Sequence, residues 1–154
     1  MRFLIPLMAC LAAMPASAQV TARLMPGSYM QELIVDVEIV SSETGTILDS
    51  WTDRDRYAEC RDADAALALT VWLDHDPRCS YEETARSGGH VEFEVTCNYE
   101  EMLMTGSGTL DYPRADLTGF EQAVSLFGYS GGEERRMTLR QTARRTGSCP
   151  ADLN

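Results

Sequence analysis

Residues 79–97 read CSYEETARSGGHVEFEVTC, and this stretch decides the fold. Gly88-Gly89 is a hairpin turn signal between two runs of strand composition. In the second run Val91, Phe93, Val95 and Cys97 share one parity, while Glu92, Glu94 and Thr96 share the other. That is the period of two expected of a strand with one face buried. A three-residue loop at 87–89 sets Cys79 across from Cys97, so the stretch predicts a disulfide-bonded hairpin of strands 79–86 and 90–98.

The same alternation extends in both directions. From Tyr29 to Val40, the residues Tyr29, Leu33, Val35, Val37 and Ile39 fall on one face, with Glu32, Asp36 and Glu38 on the other. A more polar strand is expected over 46–57, after a turn at 41–45. Strands over 102–112, 115–127 and 133–145 follow, divided by turns at Tyr112-Pro113 and 128–132. In the last of them Met137, Leu139 and Ala143 alternate with Thr138, Arg140 and Thr142. One helix is expected over 60–73, with Asp62 as its cap, Asp64 in its first turn and Asp76-Pro77 at its end. The fold class is therefore mainly β: an antiparallel meander of about seven strands with one short helix. Gly106, Gly108 and Gly119 lie inside strands, where glycine marks bending or close backbone approach. They favour a strongly curved sheet or a small open barrel.

The chain's first residues bear on its compartment. Met1-Arg2 is followed by an apolar run over 3–14 and then by Pro15-Ala16-Ser17-Ala18, the three parts of a secretory leader. Cleavage is expected between Ala18 and Gln19, leaving a single domain over 19–154. The apolar run falls short of the roughly 20 residues that span a bilayer. Leu7-Met8-Ala9-Cys10 loosely resembles a lipoprotein box, but too little apolar chain precedes Cys10, which otherwise leaves with the leader. The four remaining cysteines are Cys60, Cys79, Cys97 and Cys149, an even number suited to a disulfide framework in an exported domain. Their spacing is far wider than the paired C-x-x-C of a zinc site. With Cys79 facing Cys97, Cys60 is left to pair with Cys149.

The formal charge is −11, and every basic residue other than histidine is arginine. A field of that sign repels phosphate backbones and anionic headgroups, which argues against nucleic acid as a partner. No motif specifies a catalytic centre, a cofactor or a metal. Asp74-His75-Asp76 and His90 are the weak functional candidates, because histidine beside carboxylates suits a general base or a metal ligand. Adjacent residues do not share a face, however, and His90, beside the Gly88-Gly89 turn, reads first as a solvent-exposed hairpin residue. Ser107 lies in Gly106-Ser107-Gly108, which lacks the strand-to-helix setting of a nucleophile elbow. Asp53-Arg54-Asp55-Arg56 with Asp62 and Asp64 offers carboxylates for calcium, without the spacing of an EF-hand loop, and its interleaved arginines suggest surface charge that neutralises itself. Met102 and Met104 read as core rather than copper ligands.

Pro26-Gly27-Ser28-Tyr29 opening a strand, Cys60, the Cys79/Cys97 hairpin, Met104 to Gly108, Gly119 and Gly147-Ser148-Cys149, taken together in this order, resemble the bacterial domain of unknown function 3617. Tyr29 stands where that family usually has tryptophan. The resemblance implies an exported protein of a Gram-negative bacterium, periplasmic or secreted, and brings no activity with it. Sequence alone thus leads to a non-enzymatic domain that binds a small ligand or an envelope protein. The alternatives are a hydrolase using His75 or His90, and an acidic metal-binding stress protein.

Overall fold

The computed structural model describes residues 24–61, 77–112 and 117–149. The helix expected over 60–73 falls outside them except for Cys60 and Arg61, and these two are strand. The leader, Ala18, Gln19 and the Asp74-His75-Asp76 cluster also lie outside.

The described chain is all β, in seven antiparallel strands: β1 (Gly27–Ser41), β2 (Ile47–Arg61), β3 (Cys79–Ser87), β4 (His90–Tyr99), β5 (Met102–Asp111), β6 (Gly119–Ser130) and β7 (Glu133–Gly147). They form one sheet in the order β2-β1-β7-β6-β5-β4-β3, which does not close on itself. Strands β3 to β7 are the expected meander. The β1–β2 hairpin joins it through β1, which pairs with β7 from Ser41↔Glu133 to Ser28↔Gly147.

Alternation in the sequence becomes two faces. The inner one carries Tyr29, Val91, Phe93, Val95, Cys97, Met104, Leu110, Val124, Leu126, Leu139 and Ala143, each no more than 3% exposed. Over β4 to β7 this face is a packed hydrophobic core. Glycines on β5 allow the sheet to curve over it. A Cβ on Gly108 would stand 2.5 Å from the Phe93 ring and 2.8 Å from the Ala123 carbonyl, and one on Gly106 would overlap the Ser125 carbonyl.

The disulfide hairpin arrives at its register by a different route from the one expected. Its turn has two residues, with Ser87 facing His90 across Gly88-Gly89. Such a turn alone would set Cys79 one place out of step with Cys97. A bulge between Glu83 and Ala85 leaves Thr84 without an opposite number and restores Cys79↔Cys97. Strand β2 also runs on past Tyr57, because Glu59 and Arg61 continue its inward parity and pair with Tyr29 and Gly27.

Candidate functional site

The strand ends at one rim of the sheet bring His90 into a constellation. Register places His90 directly opposite Asp111, and Glu92 stands two residues on along the same face. His90 Nδ1 lies 2.6 Å from Asp111 Oδ1, and its Nε2 lies 3.5 Å from Glu92 Oε1. These two carboxylates, Asp111 foremost through its hydrogen bond, raise the imidazole above its ordinary pKa. Beside them opens a groove of about 680 Å³ whose lining includes His90, Asp111, Tyr112, Phe120, Ala143 and Arg144. Tyr112 is fixed from outside the groove: its hydroxyl accepts from Arg86 Nη1 at 3.2 Å, while Arg86 grips both Glu83 oxygens at 2.9 and 2.7 Å.

That geometry bears on chemistry. A histidine held between two carboxylates favours its protonated form, which donates hydrogen bonds and does not accept a proton. No serine or cysteine is among the described residues that line the groove. Ser107 faces Glu94 rather than His90, and it is four positions from Asp111 on β5, ~13 Å along the strand. Among the described residues no Ser-His-Asp arrangement forms.

The acidic stretch is sorted by the pleat. Asp49, Trp51, Asp53, Asp55, Tyr57 and Glu59 share the inner parity of β2, pairing with the inner residues Ile39 through Tyr29, while Arg54 and Arg56 share the other. The arginines therefore stand on the opposite face from these aspartates, on a stretch of β2 that is exposed on both faces. Among the described residues no group of three or more His, Cys, Asp or Glu could hold a metal ion. Asp62 and Asp64 lie outside those residues.

Beside Tyr57 the inner face carries a polar cluster that sequence reasoning missed. Gln31 Oε1 accepts from Tyr57 Oη at 3.2 Å and from Gln141 Nε2 at 2.8 Å. Gln31 Nε2 donates to Glu59, which also takes Arg61 Nε and Nη2 at 3.2 and 3.0 Å. Gln31 and Gln141 are 0% and 1% exposed. Burial, followed by the nearby Glu59 charge, pushes the Tyr57 hydroxyl above its usual pKa. The Oε1 of Gln141 has no hydrogen-bond partner, a costly state for a buried acceptor. The signal was present in the sequence as two gaps: Gln31 interrupts the inward series from Tyr29 to Ile39, and Gln141 interrupts the one from Met137 to Ala143.

Met104 is buried in the core and Met102 packs against it. The cysteines meet in two pairs, Cys60 with Cys149 and Cys79 with Cys97, at Cα separations of 5.6 and 3.9 Å. No helix in the described residues is long and apolar enough to cross a membrane.

Among known families, the model described as protein of unknown function (DUF3617) matches residues 16–149. No curated protein and no solved structure matches.

Proposed function

The chain belongs to the DUF3617 family of proteins of unknown function, and from that premise we propose that it is an exported periplasmic binding domain rather than an enzyme, taking a small molecule in the rim groove. The groove itself carries the reading. Its lining joins Phe120 and Ala143 to charged groups of both signs, and about 680 Å³ suits a small organic ligand. The packed core on β4 to β7 leaves the rim as the better place for one. Export is supported by the leader pattern over residues 1–18 and by the two cysteine pairs, which persist in oxidising compartments.

The hydrolase alternative draws on the His90–Asp111 hydrogen bond, which resembles a base and the carboxylate that orients it. The raised imidazole pKa weighs towards binding, as does the fact that no serine or cysteine is among the described residues that line the groove. Native mass spectrometry of the protein taken from its own periplasm tests the proposal. A non-covalent adduct that disappears in His90→Ala is the expected result. An apo mass from the wild type, together with His90-dependent turnover of ester or amide substrates, would replace binding with catalysis.

A further inference from the structure

Arg145 stands apart among the charged residues that line the rim groove. Asp111 holds His90 at 2.6 Å, and Glu121 has Arg144 at 3.9 Å. Among the described residues no acid pairs with Arg145. Its guanidinium is nevertheless tethered. The backbone N–H of Arg145 donates to the Thr118 carbonyl at 2.7 Å, and its Nε donates to the Pro26 carbonyl at 2.9 Å. Gly27 gives the group clearance, because a Cβ there would stand 2.6 Å from Nε and 3.0 Å from Cζ. A guanidinium carries its N–H donors in a rigid planar fork. With Nε taken, the donors on both Nη nitrogens have no partner among the described residues. The geometry points to a ligand class for this groove: a small organic monocarboxylate whose anionic end takes the Nη fork of Arg145. The inference rests on the rim groove being a binding site and names what fills it.

The groove's charges set the valence of that anion. Asp111 and Glu121 are each matched by a cation, so Arg145 is the charge left over, and it is positive in a chain whose formal charge is −11. A single negative charge completes the set. A phosphate dianion would bring a second charge to a groove that already holds two carboxylates. Two parallel N–H···O bonds to a carboxylate are the pairing for which a guanidinium is shaped. The ligand's uncharged part has Phe120, Ala143 and the ring of Tyr112 to lie against. His90 acts at one remove. Both of its ring nitrogens face carboxylates, so it covers the charge of Asp111 instead of offering a donor to the ligand. Removing His90 would uncover that charge and repel a carboxylate, in keeping with the loss of the adduct expected of His90→Ala. Tethering the Pro26 carbonyl occupies Nε alone and leaves the Nη fork for the ligand.

The test is a titration of hydrocinnamate and of hexanoate, each beside its own amide and its own amine, into the isotope-labelled protein in mildly acid, low-salt buffer. Amide shifts of Gly89, Thr118 and Gly119 in nuclear magnetic resonance spectra read occupancy of the groove. At least one of the two acids should bind saturably, and at least about tenfold more tightly than its amide or amine. Arg145→Gln should weaken that acid at least about tenfold and leave the amide unchanged; its spectrum shows directly whether the fold is retained. An amide or amine that binds as tightly as the acid would overturn the inference while leaving the groove a binding site. An acid affinity indifferent to Arg145→Gln would do the same, and so would inorganic phosphate binding there more tightly than either acid. If no probe moves the groove amides, the binding reading itself falls and takes the inference with it.

Discussion

His90 is the residue whose neighbours decide most about the molecule's behaviour with pH. Its pKa is raised in the folded state by Asp111 and Glu92. The stabilisation from this contact is therefore complete below the unfolded value near 6.5 and is lost as pH rises through the higher folded value. Melting temperatures of wild type and His90→Ala should differ most in mildly acid buffer and converge in mildly alkaline buffer. A difference that grows with pH would mean that Asp111 does not hold the ring. Sequence identified the histidine but not its partner, because Asp111 comes from a strand whose register with His90 no local pattern records. Gly108 was legible as a bend, and the structure supplies the reason. Gly108→Ala drives a Cβ into the Phe93 ring and the Ala123 carbonyl, both enclosed in the packed sheet. The expected cost is about 1–3 kcal/mol, as for other overpacked cores, read from urea unfolding; an unchanged midpoint would show that the ring can move aside.

At the scale of the element, the disulfide hairpin shows how much a strand's own pattern controls. Strand β4 alternates buried and exposed residues without a break, so its inward set was read correctly. Strand β3 is exposed along nearly its whole length, with no buried series to pin its register. The one-residue difference between the expected and actual turns could not be seen there, and the bulge at Thr84 absorbs it. Deleting Thr84 removes the unpaired residue and leaves Cys79 facing Cys97. The deletion variant should still form this bridge, checked by peptide mapping without reduction, and failure to form it would mean that the bulge itself supports the pairing. Strand β2 gave the opposite lesson. Its parity continues to Arg61, and pairing with Gly27 and Ser28 claims Cys60 and Arg61 as strand, although alanine-rich sequence just beyond suggested that a helix had begun.

For the whole molecule, the decisive joint is the one between β1 and β7, which lie at opposite ends of the described chain. The number of strands, their antiparallel pairing and the curvature were legible, since each follows from local alternation, turns and glycines. The attachment of β1 to β7 was not, because a run of alternating strands reads the same whichever two meet at the seam. Local hairpins build β1–β2 and β3 to β7 separately, and the seam must then join them at the entropic cost of closing a long loop. Cys60–Cys149 spans 89 residues across the same division, tying the end of β2 to the chain just beyond β7. In the chain-entropy view such a crosslink is worth about 4–5 kcal/mol, a large share of the stability of an ordinary domain. Cys60→Ser/Cys149→Ser should therefore lose about that much in urea unfolding. Hydrogen exchange should locate the loss unevenly, with amides of β1 and β2 exposed first while β4, β5 and β6 keep their protection. Equal loss of protection in all seven strands would instead show that the seam is not a line of weakness, and that the β1–β2 hairpin and the meander unfold as one unit even without the bridge.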